Sequence, residues 1–352
     1  MSAASNEMAL SPQQALSGRR VRRISWFQSK AINESRCPRL NARLSQAIRI
    51  GTLNVGSLTG RSQEIIEMIG SRNIDVCCFQ ETKWKSEGVR LFSASECKYK
   101  MFWTGQKSAQ CGVAIVIKEE LAKEVLEVKR YNARLMLIKI RLRNRLMTIV
   151  SAYAPQSGEC EEVKDEFWSL MADVVQLVPM EESIVIGGDL NGHVGKTAEG
   201  FESVHGNFGI GERNIDGVRI LEFAESLRLS VLNTFFKKST EHLITYKSGN
   251  TSSQIDFLLA RQAERKNFTN VKIIPGETCV PQHRLLIAIL KGEKKQRKTK
   301  LRPINIKTWK LREQEYKSKF QNLVNKGLSE LNVNDDWNSF KETSQCSNIY
   351  LW

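Results

Sequence analysis

The sequence predicts an α/β (α+β) chain in which mixed β-sheets pack face to face and helices lie on the outside. Three observations lead there. About eleven short runs of strand character alternate with only three segments of helical period, too many strands per helix for a regular βαβ winding. Two pairs of neighbouring runs are joined by short links, around Arg143 to Arg145 and across "GQKSAQC" from Gly105 to Cys111, so antiparallel hairpins occur among helix-linked strands. The apolar runs stop near Leu290, where "KGEKKQRKTK" (Lys291 to Lys300) closes the body with charge.

In chain order, residues 1–47 carry "SGRRVRR" (Ser17 to Arg23) and few periodic apolar positions. They read as a disordered basic arm with a weak nuclear-import patch. The body, residues 48–290, starts with a strand at Ile48–Val55, a helix at Arg61–Ser71 and a strand at Ile74–Phe79. Strands follow at Lys98–Trp103, Gly112–Lys118, Leu135–Leu142 and Leu146–Tyr153, then a helix at Cys160–Val178 and a strand at Ser183–Gly187. A helix at Asp216–Leu227 precedes strands at Leu229–Phe235, Ile244–Lys247, Gln254–Leu259 and His283–Leu290. Residues 291–352 form a basic linker and a Trp-containing polar tail, helical or partly ordered, and no internal repeat is present.

Composition narrows the function. With 352 residues, 41% apolar and 26% charged, the chain reads as a soluble globular protein of one large or two small domains. Its 8 cysteines stand singly apart from Cys77-Cys78 and show no CxxC, which argues for reduced thiols in the nucleus or cytoplasm. No apolar run approaches the roughly 18 residues of a membrane span, so no membrane role is expected. The net charge of +15 is concentrated at the ends: 8 Lys/Arg against 2 acids in 1–47, 14 against 7 in 291–352, and 31 against 29 between. A near-neutral body with basic extensions suits a polyanion, although such tails also serve solubility alone.

The chemistry lies at strand ends. "IVIGGDLNG" (Ile184 to Gly192) is a β-branched run that breaks into two glycines and displays Asp189 and Asn191. Asn54 ends the first strand in "TLNVGS", Glu81 follows the second in "QETK", and Tyr153 precedes a proline in "AYAPQ". Asp256 interrupts "SQIDFLL", and His283 opens the last strand. Singly, each reads as a turn residue, a helix-leading acid or a satisfied core histidine. Together they imply one crevice, because unpaired polar groups in apolar strands cost several kcal/mol and strand termini converge on a rim. Carboxylates and amides without thiols favour Mg²⁺ or Mn²⁺, and a histidine oriented by aspartate suits acid–base work. The sum is metal-assisted hydrolysis of a phosphoester by water.

In this order "TLN", "QET", "AYAP", "GGDLN", "IDF" and "QHR" resemble the endonuclease/exonuclease/phosphatase superfamily across residues 48–290. The stretch from Gly206 to Phe236, with "SQIDFLLA", is similar to the endonuclease domain of RTE-type non-LTR retrotransposons and its host form, the craniofacial development protein 2-like group. The resemblance implies a DNase I-like, four-layer sandwich of two mixed β-sheets flanked by helices. It implies Glu81 as main Mg²⁺ (or Mn²⁺) ligand with Asn54 beside it, Asp189 aligning or activating water, and Asn191 holding a phosphate oxygen. Tyr153 would touch the scissile phosphate, and His283, oriented by Asp256, would bind it or serve as base. Gln282, Gly56 and Gln156 depart from common family residues, so weaker metal affinity is expected.

The expectation is therefore a Mg²⁺-dependent endonuclease that nicks DNA by direct water attack and leaves a 3′-hydroxyl. It is expected to be a nuclear monomer with DNA as partner and no small-molecule cofactor. Lys83 and Lys85 would grip the backbone, and Tyr246 would stack on a base beside a phosphate contact from Lys247. Trp103 and Phe236 suit packing, His193 a surface loop, and His205 and His242 no special role. "VNDDW" (Val333 to Trp337) lacks the tyrosine of a polymerase YxDD, so the chain is read as truncated before a reverse transcriptase. The alternatives are a catalytically weak or inactive chromatin-binding relic, or a phosphatase of the same superfamily.

Overall fold

Two sheets form because the central runs are buried along their whole length, on both faces, and are capped by chain reversals or helices. The structure, a computed structural model, describes residues 47–143, 145–276, 279–292 and 308–330. The basic arm and most of the tail lie outside the described residues. In chain order, β1 (Ile48–Asn54) leads through α1 (Ser62–Ser71) to β2 (Val76–Gln80), then β3 (Glu87–Ser93), β4 (Lys98–Thr104) and β5 (Val113–Lys118). The short α2 (Glu119–Ala122) precedes β6 (Val125–Asn132), β7 (Leu135–Leu142) and β8 (Arg145–Tyr153), and α3 (Glu161–Gln176) carries the chain to β9 (Ser183–Asp189). After α4 (Ile215–Ser226) come β10 (Leu229–Val231), β11 (Tyr246–Ser248), β12 (Thr251–Ser253), β13 (Asp256–Arg261), β14 (Phe268–Ile273) and β15 (Leu286–Leu290). Chain contacts divide the molecule into one unit ending at residue 294 and a second from 295, in which α5 (Gln314–Glu330) follows a 3-10 turn at Thr308–Arg312.

The first sheet has seven strands in the order β14-β15-β1-β2-β5-β4-β3, the second six in the order β10-β13-β9-β8-β7-β6, and β11 pairs with β12 as a separate hairpin. Among the described residues only β1/β2 and β8/β9 are parallel, and those are the two connections that α1 and α3 span, since a parallel pair needs a crossover. Both links read as hairpins, β4/β5 and β7/β8, are antiparallel pairs.

Three apolar layers make four layers of elements. Ile50, Cys78 and Ile115 of the first sheet meet Ile138, Ile149 and Leu258 of the second. The outer face of the first sheet packs Phe79 and Val116 on Ile65 and Ile69 of α1. The outer face of the second packs Ile186 and Phe257 on α3 and α4; in α3 the buried Phe167, Met171, Val174 and Val175 fall at i, i+4, i+7 and i+8. No helix among the described residues is long and apolar enough to cross a membrane.

Several elements differ from the sequence reading. Strands β3 and β6 escape it because they are sheet edges: only Phe92 is buried in β3 and nothing in β6, so neither carries an apolar run. A bulge between Phe268 and Asn270 breaks the alternation that would have marked β14. Leu229–Phe235 is a three-residue strand followed by a 3-10 turn at Leu232–Phe235. The last strand begins at Leu286, three residues after His283, because Arg284 N–H turns to Thr245 O (2.8 Å) and Lys247 N–H to Gln282 O (2.9 Å).

Candidate active site

The stripe of each central strand that faces the opposite sheet ends at one rim, and there it turns from apolar to polar. On β1 the stripe is Ile48, Ile50, Thr52, Asn54; on β2 Val76, Cys78, Gln80; on β8 Met147, Ile149, Ser151, Tyr153. On β9 it is Val185, Gly187, Asp189, and on antiparallel β13 Ala260, Leu258, Asp256. Register sets the ends abreast: Asn54 stands opposite Gln80, and Asp189 lies between Tyr153 and Asp256. The glycines before Asp189 have steric reasons. A Cβ on Gly188 would sit 2.2 Å from Ala152 O, and one on Gly187 would press on Cys78 Sγ of the other sheet at 3.1 Å.

Asn54 joins the two halves. Its Nδ2 donates to Glu81 Oε1 (2.7 Å) and to Asp189 Oδ2 (2.9 Å), while Oδ1 accepts from Gly56 N–H (2.9 Å). An amide nitrogen cannot ligate a cation, so in this orientation Asn54 serves the two carboxylates. Tyr153 OH also donates to Glu81 Oε1 (2.9 Å), and Lys83 Nζ lies 3.7 Å from Oε2. Glu81 reaches the rim from left-handed backbone, φ 52°, a conformation costing a non-glycine residue roughly 1–2 kcal/mol. Thr82 N–H to Gly112 O and Lys83 N–H to Cys111 O, both 3.0 Å, hold it there. Asn191 is likewise left-handed at φ 50°; its N–H caps Asp189 Oδ1 (3.2 Å) and its Nδ2 donates to Ala154 O (2.8 Å). Strain of this kind persists where surrounding structure enforces it, and it gathers at functional sites.

His283 Nδ1 lies 3.0 Å from Asp256 Oδ2, and its Nε2 lies 3.8 Å from Asp189 Oδ2. The Tyr246 ring packs edgewise on the imidazole at 4.9 Å. Burial pushes the Asp189 carboxyl up to about 7, helped by the charge of Asp256 and opposed by His283. Burial pulls the other way on His283, but the charge and hydrogen bond of Asp256, with Asp189 and Glu81 behind them, outweigh it and raise the imidazole to about 9. Positive charge is thus favoured at this point. Asp189, Asp256 and His283 offer ligand-type atoms within 4.8 Å of one another, and the buried Asp256 Oδ1 has no hydrogen-bond partner. These oxygen-rich donors, with Glu81 sharing the Asn54 amide, fit a hard divalent cation.

All seven residues expected to form the site therefore meet. Of the expected nucleic-acid contacts, Lys83 and Tyr246 stand at the rim, whereas Lys85 and Lys247 extend into solvent. Trp84 and Trp103 pack edge to face at 5.0 Å against the α1 side of the first sheet. Sequence reasoning passed over three supports. Asn233 clamps β13, Nδ2 to Asp256 O and Leu258 N–H to Oδ1, both 3.0 Å; an amide inside "SVLNTFF" was its signal. Thr245 Oγ1 accepts the N–H groups of Ile255 and Asp256. The Arg134 guanidinium covers the Tyr153 ring at 5.0 Å; nothing local marked the last two.

Residues 51–213 match the Endonuclease/Exonuclease/phosphatase family. Craniofacial development protein 2 of Bos taurus is 28% identical over 243 residues, 68% of this chain and 40% of that protein, and its Tragulus javanicus counterpart is 27% identical over 243 residues. The chain spans about 40% of the length of these curated relatives. The endonuclease domain of TRAS1, a telomere-specific non-LTR retrotransposon, superposes with TM-score 0.50 at 16% identity, covering 70% of this chain and 100% of that one. The Xenopus laevis APE2 catalytic domain gives 0.53 at 16% (69% and 92%), and the AP endonuclease LMAP of Leishmania major 0.54 at 12% (73% and 92%). At these identities the likeness is one of fold.

Proposed function

We propose that this chain, which carries the nuclease-like fold of the endonuclease/exonuclease/phosphatase superfamily, is a Mg²⁺- or Mn²⁺-dependent DNA endonuclease derived from a non-LTR retrotransposon. The observation that carries the reading is the convergence of Asn54, Glu81, Tyr153, Asp189, Asn191, Asp256 and His283, from both sheets, on one rim. The basic ends of the chain favour DNA over a small phosphomonoester. The same reading makes it a nuclear monomer.

Glu81 would hold the divalent ion, which when bound offsets phosphate charge and polarises a phosphate oxygen. The remaining chemistry belongs to the chain. A carboxyl near 7 can take a proton at neutral pH, whereas an imidazole raised to about 9 already holds one; Asp189 is therefore the base toward water and His283 the donor to a phosphate oxygen. Asp256 fixes the imidazole so that Nε2 faces the site. Tyr153, kept neutral by burial that raises its hydroxyl, stays a donor. Water oxygen bonds to phosphorus as Asp189 takes its proton, the bond from phosphorus to the 3′-oxygen breaks, and that oxygen leaves as a hydroxyl with the proton that His283 supplies.

Purified protein with Mg²⁺ should convert supercoiled plasmid to open circles, and EDTA should stop it. Asp189→Ala and His283→Ala should each slow nicking by about 10³-fold or more. Wild type that never nicks, or variants that nick as fast, would refute the assignment. A phosphoinositide run alongside separates a phosphatase.

A further inference from the structure

One step deeper than the site lies a second layer of buried polar groups, and one side chain joins all of it. Gln80, Thr52 and Ser151 are each 0% exposed. Gln80 Nε2 crosses from the first sheet to the second, donating to Ser151 Oγ at 3.2 Å and to Gly187 O at 3.5 Å, while its Oε1 accepts from Thr52 Oγ1 at 3.2 Å. Ser151 returns the link, its hydroxyl donating to Phe79 O at 3.1 Å. Each partner stands two residues before a site residue on the same strand and face: Thr52 before Asn54, Ser151 before Tyr153, Gly187 before Asp189. Gln80 itself immediately precedes Glu81.

Cys78 and Leu258 flank this layer, and below it the facing side chains are Ile50, Val76, Ile149, Val185 and Ala260, all apolar. Apolar packing is non-directional, so it sets the distance between sheets but only weakly how far one rim lies along the other. Hydrogen bonds are directional, and a buried amide is unfavourable compared with an apolar side chain of like volume unless its bonds are made. Stability alone does not call for glutamine here. We propose that Gln80 is a positioning residue for the hydrolytic site: its amide locks the strand ends of the two sheets in the register that keeps Glu81 and Asn54 on Asp189 and Tyr153. This rests on the function proposed above.

The test uses Gln80→Met, nearly isosteric and without the bonds, and a triple variant Thr52→Val/Gln80→Met/Ser151→Ala that leaves no orphaned partner. The triple variant is expected to melt close to wild type, and Gln80→Met somewhat lower because it orphans the Thr52 hydroxyl. Both should lose about 10–100-fold in kcat for plasmid nicking, as misplacement on the order of 1 Å does, with KM for DNA unchanged. Their affinity for Mn²⁺ alone, by calorimetry without DNA, should fall about tenfold. A role confined to folding would move the melt and spare kcat and Mn²⁺ affinity. Folded variants that bind Mn²⁺ and nick like wild type would overturn the positioning role alone, and so would failure of both to fold. Wild type that neither binds Mn²⁺ nor nicks would overturn the function, and this proposal with it.

Discussion

At the scale of single residues the site is a balance of charge. His283 is raised to about 9 from an ordinary 6.5, and Asp189 to about 7 from 3.8, so both hold protons more tightly folded than unfolded. Their stabilising contributions are complete below the unfolded values and are lost as pH rises, through about 7 for Asp189 and about 9 for His283. Stability from urea melts should therefore fall between pH 6 and 9, by roughly 2–3 kcal/mol from His283. His283→Gln should flatten the upper part, and Mn²⁺ should restore it; an unchanged slope would refute the assignment. Glu81→Gln keeps an oxygen for Asn54 and Tyr153 but removes one of two carboxylates sharing an amide. Its melting temperature should equal or exceed that of wild type while Mg²⁺-dependent nicking collapses. His205, pulled down to about 4 by burial, accepts from Asn207 N–H and faces Gly195 O, a structural role that suits the ordinary reading given to it.

At the scale of elements the sequence is legible where burial is regular. Strands β1, β2, β5 and β7–β9 show as apolar runs because one or both faces are covered, and Asn54, Tyr153 and Asp189 show as polar groups ending such runs. Edge strands β3 and β6 lack that signal, and the bulge in β14 scrambles it. Supports such as Gln80 and Asn233 are harder, since their partners lie up to 107 residues away for the one and 25 for the other. Close strand packing yields a sharp prediction. Gly188→Ala places a methyl 2.2 Å from backbone Ala152 O, so the parallel β8/β9 pair must part. It should lose about 2 kcal/mol or more in denaturant melts. Gly187→Ala, whose nearest neighbour is the Cys78 sulfur at 3.1 Å, should lose less. Equal losses would show that pressure on the backbone does not decide the matter.

For the whole molecule the relevant quantity is where charge resides. The net +15 falls almost wholly outside residues 48–290, where 31 Lys/Arg face 29 acids. If the ends carry affinity for DNA, a chain of residues 48–290 should bind plasmid far more weakly at low salt. Its dependence of log affinity on log salt should be shallower by about 0.9 for each phosphate that the ends no longer neutralise. Nicking at saturating protein should persist. Identical salt slopes in filter binding would assign affinity to the body instead.

Local chemistry along the chain was enough to specify the strands, the mixed character of the sheets and the polar residue ending each run, because periodicity and burial act over a few residues. It also pointed to the kind of reaction proposed above, since the residue types name their own donors and acids. Which ends meet was settled by the stacking of two sheets. Asp189 lies beside Asn54, 135 residues earlier, and His283 beside Asp256 because apolar faces too wide to be covered by helices alone found each other. The amide beneath the site belongs to that stacking as well, and the left-handed backbone at Glu81 is held by chain beside the neighbouring strand of its own sheet. Both arise from groups distant in sequence pressing on one point, and no local pattern records such a force.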